Sequence, residues 1–171
     1  MTAGEFGQFF AAVHGDEEHT VEPFLWQQRL AANVLAAGFP DVIRAPTACG
    51  KTSVLDIAVF DLAMQAEREP GNRTAARRIC FVVDRRLVVD DVTKHAWKIR
   101  NAVLGATHGK RDEPVLRAVA ERLAFLAVER NQPLRVVSLR GGVYRDDGWS
   151  ADPLTPSILV STVDQIGSRL L

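Results

Sequence analysis

Cysteine is scarce in this chain, and its placement excludes two classes of protein. The 171 residues contain two cysteines, Cys49 and Cys80, which form neither a CxxC pair nor a cluster with histidine. A disulfide-stapled scaffold and a thiolate metal centre are therefore not expected. Long apolar runs are missing as well. No stretch approaches the roughly 18 to 20 residues that cross a bilayer. The start, MTAGEFGQFFAAVHGDEEHT, has no basic segment leading into an apolar one. The expectation is a cytoplasmic protein with no membrane partner. An excess of charge of either sign is also lacking: Lys and Arg total 21, and so do Asp and Glu. Any grip on nucleic acid must then come from a local patch rather than from a global field. What is present, 47% hydrophobic and 25% charged residues without repeats or low-complexity tracts, suits a single domain with a proper core.

The apolar pattern divides the chain into elements. Residues 1–22 read as a polar N-terminal extension, and residues 23–171 as one α/β unit. PFLWQQRLAANVLAAGFP (23–40) carries Trp26, Leu30, Val34 and Leu35 at helical spacing, then stops at Gly38 and Pro40. DVIRA (41–45) reads as a short strand, and SVLDIAVFDLAMQAER (53–68), apolar nearly all round, as a buried helix. RICFVVD (78–84), LRVVSLRGG (134–142) and SILVSTV (157–163) read as further strands. Helices are expected over 85–104 and 114–130, the latter with an Arg117–Glu121 pair across one turn, and over the last residues. Strands alternating with helices predict a doubly wound, mostly parallel sheet.

Between the first strand and the buried helix stands RAPTACGKTS (44–53). A phosphate cradle needs consecutive backbone N–H groups in one concavity, a helix N-terminus behind them, a lysine, and a hydroxyl for magnesium. Pro46, Thr47, Ala48, Cys49 and Gly50 supply the nest. Lys51 supplies the charge for the outer phosphates, Thr52 the Mg²⁺ ligand, and Ser53 the start of the helix. Lys51 and Thr52 are thus the candidate catalytic residues of a P-loop that takes ATP with Mg²⁺. The strict pattern has glycine where Ala45 stands, and often also where Ala48 stands. Alanine does not readily take positive φ, so Ala48 is expected in an ordinary conformation or at a cost of about 1 kcal/mol. Cys49, beside a lysine and a helix start, is either a reactive thiol or an ordinary small loop residue.

Several segments in order carry a resemblance. With FLWQQRL ahead of an alanine-initiated cradle, the chain resembles the first RecA-like lobe of superfamily 2 helicases. With FVVDRRLVVDD, LRGG and STVDQIGSRLL added, it resembles the CRISPR-associated helicase-nuclease of type I systems, in its I-G (formerly I-U) branch. The likeness covers nearly the whole chain, and VDRRLVVDD is its most distinctive piece. It implies an ATP-driven motor pulling single-stranded DNA recruited by an RNA-guided CRISPR surveillance complex. It also implies that Gln27 reads adenine. Physically, loops at the carboxyl ends of parallel strands form the ligand surface of such a sheet. Arg85, Arg86, Arg140 and Arg169 fall just after strands or in the following helix, and Asp84, Asp90 and Asp91 lie close enough to pair with some of them. The amides of Gly141 and Gly142 and the hydroxyls of Ser161 and Thr162 suit phosphate contacts that read no sequence.

Two further points complete the reading. HGDEEH (14–19) sets two histidines around three carboxylates but reads as a solvated loop, and His95 and His108 as surface or core histidines. No D-E-x-[HD] motif follows the cradle, the one match, DEEH at 16–19, standing ahead of it, so the chain is expected to be an incomplete first lobe. Its second helicase lobe and nuclease domain would lie elsewhere, and as a fragment it would not hydrolyse ATP. The alternatives are a stand-alone nucleotide- or DNA-binding module without turnover, and a small P-loop phosphotransferase.

Overall fold

Three of the apolar, β-branched runs pair into a sheet in a computed structural model that describes residues 3–16, 18–139 and 152–170. They are β1 (Arg78–Val83), β2 (Arg135–Leu139) and β3 (Ser157–Thr162). All pairings are parallel, in the order β1-β3-β2. Val83 lies beside Thr162 and Leu139 beside Ser161, so the three carboxyl ends are level. Central β3 is buried over its first five residues, whereas β1, paired on one side only among the described residues, is nowhere fully buried.

The fourth expected strand, DVIRA, does not form. Residues 41–45 carry no regular structure, because extended backbone needs a neighbouring strand for its N–H and C=O groups and none among the described residues lies alongside. Its two β-branched side chains divide accordingly: Ile43 packs against the core and Val42 is exposed.

Among the described residues, six α-helices flank the sheet: α1 (Phe6–His14), α2 (Leu25–Ala37), α3 (Val54–Met64), α4 (Arg86–Thr107), α5 (Pro114–Leu126) and α6 (Val163–Leu170). α2 ends where a glycine was expected to stop it. Gly38 takes φ 84° and its N–H bonds the Val34 carbonyl at 2.7 Å, a reversal that L-residues with a Cβ resist. α3 is buried on nearly every side, as a helix that is apolar nearly all round should be. On α5, Arg117 pairs with Asp112 at 3.0 Å rather than with Glu121, because Asp112 sits just ahead of the helix start where the guanidinium reaches it.

α1 was not expected. Residues 1–22 were read as a polar extension, yet Phe6, Phe9, Phe10 and Val13 recur at helical spacing and are all buried. The Phe6 and Phe9 rings pack on Phe60 of α3 at 5.7 and 5.4 Å. Burying each such ring contributes about 2 kcal/mol, which makes this segment part of the core. Arg111 fastens it further by donating to the Ala12 carbonyl while pairing with Glu113.

Both faces of the sheet are covered. Val136, Ile158 and Val160 belong to the large core formed with α1 to α5, while Val137, Leu139 and Leu159 point the other way, onto Ile166 of α6. The result is an α/β unit with a small parallel sheet flanked by helices. Its direction matters for the site. Gln65, just past the end of α3, accepts hydrogen bonds from the N–H groups of Thr74 and Ala75 on the approach to β1. Val54, at the start of α3, lines the same groove as Phe81 near the end of β1. α3 therefore runs opposite to β1, and its N-terminus rises at the carboxyl end of the sheet.

Candidate functional site

The segment that enters α3 makes a tight turn followed by one turn of 3-10 helix, Lys51–Ser53. Two of its residues are left-handed: Ala48 at φ 59° and Gly50 at φ 74°. Ala48 thus takes the conformation that was not expected of alanine, at a cost on the order of 1 to 2 kcal/mol. Gly50 is required twice over. Besides its positive φ, a Cβ there would stand 2.8 Å from Gln27 Nε2 and 3.4 Å from the Phe24 ring.

The turn is held from behind by α2. Trp26 Nε1 donates to the Cys49 carbonyl at 3.0 Å, and Gln27 Nε2 donates to the Gly50 carbonyl at 2.9 Å. A trans peptide unit is planar with its C=O and N–H opposed, so fixing these two carbonyls on α2 turns the N–H groups of Gly50 and Lys51 the other way. Lys51 Nζ donates to the Ala45 carbonyl at 3.0 Å, and the Cys49 thiol to the Pro46 carbonyl at 2.8 Å. The N–H groups from Thr47 to Gly50 donate to no protein acceptor among the described residues. Pro46, Thr47, Ala48, Gly50 and Lys51 are exposed, Thr52 is half-buried, and Ser53 is buried at the helix start. The arrangement can do one thing well: offer unpaired amides and an exposed ammonium to an anion at a helix N-terminus.

Two expected roles change. Gln27 is only 1% exposed, and its Oε1 accepts from the Phe24 N–H at 2.8 Å. Both ends of its amide are used inside the protein, bracing the turn, and neither faces outward toward a base. Ser161 is fully buried and its hydroxyl donates to the Thr162 carbonyl at 2.9 Å, so it offers nothing to a phosphate. Cys49, expected as either a thiol nucleophile or a small loop residue, has its S–H engaged within the turn.

Of the residues expected at nucleic acid, Arg85 and Arg86 are exposed just beyond β1, and Thr162, half-buried, ends the neighbouring strand in register with Val83. They share the carboxyl edge of the sheet. Arg85 approaches Asp84 only to 3.9 Å, both side chains about four-fifths exposed, a pairing that contributes little. Asp91 turns to Lys94 at 3.6 Å. Arg140, Gly141 and Gly142 lie outside the described residues. Arg169 is on α6, and its side chain is likewise outside them.

A second polar group sits one turn into α3. Asp56 is completely buried, and its two oxygens are approached by His14 Nε2 at 2.7 Å and His95 Nε2 at 2.6 Å. Burial alone would raise this carboxyl, but hydrogen bonds and charge from the two imidazoles outweigh it and hold the group below its ordinary value. His14 thus leaves the HGDEEH loop as the last residue of α1, while His19 and Asp16 pair at the surface. His95, expected as an unremarkable histidine, joins it from α4. Sequence offered no spacing signal for this group, because its members are 42 and 39 residues apart. The brace of Trp26 on the turn was equally hidden.

Comparison of the chain with protein-family models, curated proteins and solved structures gave no significant match. The chemistry therefore rests on the residues.

Proposed function

We propose that the chain is the nucleotide-binding part of an ATP-dependent motor acting on single-stranded DNA, a RecA-like lobe of the kind that serves RNA-guided CRISPR interference. The observation that supports this most is the turn at 46–50, with unpaired amides, two left-handed residues, and carbonyls pulled back onto α2. The fit to a phosphate is physical: the amides have no acceptors among the described residues, Gly50 leaves no Cβ in the way, and the α3 dipole adds positive potential. In this reading the amides from Thr47 to Lys51 hold the outer phosphates. Lys51 exchanges the Ala45 carbonyl for a phosphate oxygen, and the Thr52 hydroxyl ligates Mg²⁺. Gln27 and Trp26 serve the site from behind by fixing the carbonyls that aim those amides. ATP with Mg²⁺, when bound, supplies the free energy that a translocating motor spends.

Arg85, Arg86 and Thr162 take the nucleic-acid role at the carboxyl edge, gripping phosphates rather than bases. A second lobe and a surveillance complex belong to the same proposal through the resemblance. The test is binding of a fluorescent ATP analogue, with and without Mg²⁺, by the 171-residue protein. Lys51→Ala should weaken binding at least about tenfold through loss of a charge-assisted hydrogen bond, with the circular dichroism unchanged. No Mg²⁺-dependent binding by the wild type, or equal binding by Lys51→Ala, would end the proposal. For DNA, the Arg85→Ala, Arg86→Ala double variant should lower affinity for an oligonucleotide and flatten its salt dependence.

A further inference from the structure

The polar group behind the turn has a composition that hydrogen bonding alone does not require. Asp56 lies in the first turn of α3, fully buried. No lysine, arginine or backbone amide bonds it, and its partners among the described residues are the two imidazoles. A fully buried carboxylate is costly unless its charge is compensated, and the two imidazoles are the groups placed to do so. Two imidazole nitrogens and one carboxylate oxygen form a donor set suited to a borderline divalent ion such as zinc. Three helices hold the donors: His14 ends α1, Asp56 opens α3 and His95 lies within α4.

We propose that His14, Asp56 and His95 form a three-ligand site for a divalent transition-metal ion, with zinc as the reference ion. The three donor atoms already lie within 4.8 Å of one another. Tetrahedral zinc with bonds of about 2.0 to 2.2 Å places its ligand atoms about 3.3 Å apart, so an ion entering here would widen the 2.7 and 2.6 Å nitrogen–oxygen contacts and draw the two ring nitrogens together. The ring centroids are 4.8 Å apart, and Phe10 packs on the His14 ring at 4.4 Å, limiting it on its far side. On coordination, each neutral ring binds through the Nε2 lone pair with its proton carried on Nδ1, and a protonated ring first releases a proton to solvent. His95 is the most accessible donor, with 19% of its side chain exposed, against 9% for His14. Water taking the fourth position would enter on its side. Bound there, the ion would clamp the N-terminal helix and α4 to the helix that begins at the glycine-lysine turn. The inference does not rest on the proposed function, since the site needs neither nucleotide nor DNA.

The test is a titration of the full chain with Zn²⁺ against a chromophoric chelator, with Co²⁺ as a visible reporter. One equivalent should bind, Co²⁺ should show the absorption bands of a low-symmetry nitrogen and oxygen site, and the melting temperature should rise with Zn²⁺ by mass action. His95→Ala, which removes the most exposed donor, should cost at least about tenfold in affinity and remove both the bands and the thermal shift. His19→Ala and Cys80→Ser, which change potential ligands outside the cluster, should leave all three readouts unchanged. Should His14→Ala fail to fold, His95→Ala alone decides. No stoichiometric binding by the wild type overturns the proposal and leaves a purely hydrogen-bonded trio. Binding that survives His95→Ala overturns it equally.

Discussion

Two polar sites stand six residues apart at the head of α3, built on opposite plans. The turn at 46–50 is made of backbone, lies open to solvent, and leaves its amides unpaired. The Asp56 group is made of side chains, is buried, and has both carboxylate oxygens occupied. The first leaves its amides without an acceptor among the described residues, and the second uses its hydrogen bonds to join three helices. Removing a side chain should therefore affect function at one site and stability at the other. The sharpest expected difference is between Asp56→Ala and Lys51→Ala. Deleting the carboxylate strands two imidazoles and a cavity and should cost about 3 kcal/mol or more in urea unfolding. Deleting the exposed lysine should change stability by no more than about 0.5 kcal/mol while removing anion binding. Equal losses in the two variants would erase the contrast.

The same contrast predicts how acid acts. A carboxyl whose folded pKa is held below its unfolded value of about 3.9 contributes stability that is fully present above that value and is lost as pH falls through the folded pKa. Asp56 is such a group. Asp61, one and a half turns further along α3, is the opposite case. Burial raises it, and the hydrogen bond from Gln65 Nε2 at 2.8 Å only partly offsets this. Its contribution falls as pH rises from the unfolded toward the folded pKa, and the cost persists at neutral pH. Asp61→Asn, which keeps the acceptor for Gln65, should therefore stabilise the protein at pH 7 by up to about 1 kcal/mol. The gain should vanish as pH falls below the unfolded carboxyl's value, where Asp61 is protonated in the folded and the unfolded chain alike. Asp56→Asn should instead destabilise at pH 7 and flatten the acid limb of the stability curve.

How each site could be read from sequence follows from its construction. A site made of contiguous backbone leaves a contiguous signature. RAPTACGKTS located the turn, and the apolar character of 53–68 located the helix behind it. Three of four strands were legible for the same reason, as runs of Val, Ile and Leu. DVIRA failed because extended structure depends on a partner that propensity does not see. α1 was missed although Phe6, Phe9, Phe10 and Val13 carry the helical period; the flanking polar residues masked a pattern that was present. The Asp56 group was not legible at all. His14 and His95 meet only once α1 and α4 pack on α3, and nothing local to either marks the other. Gln27 was found, but its brace on the turn was not legible, since only the geometry shows that both ends of its amide are taken up inside the protein.

Within the turn, the brace and the backbone can be separated. Gln27→Ala removes the donor to the Gly50 carbonyl and the acceptor of the Phe24 N–H. It should cost about 1 to 2 kcal/mol and should weaken phosphate binding even though Gln27 never touches the ligand. Intact affinity in that variant would show that the amides are aimed by the turn alone.

The smallest expected effect is the most diagnostic for the turn itself. Ala48 holds φ 59°, a strain that the surrounding bonds sustain: Trp26 fixes the next carbonyl along and the Cys49 thiol closes back on Pro46. Ala48→Gly relieves the strain in the folded state while giving the unfolded chain more freedom. The two effects partly cancel and leave a net gain of about 0.5 kcal/mol. If the left-handed geometry at 48 is what directs the amides, affinity for inorganic phosphate should hold or rise alongside stability. A gain in stability with a fall in phosphate affinity would mean that the alanine rigidifies the cradle, and that strain at this position is part of how the site holds its shape.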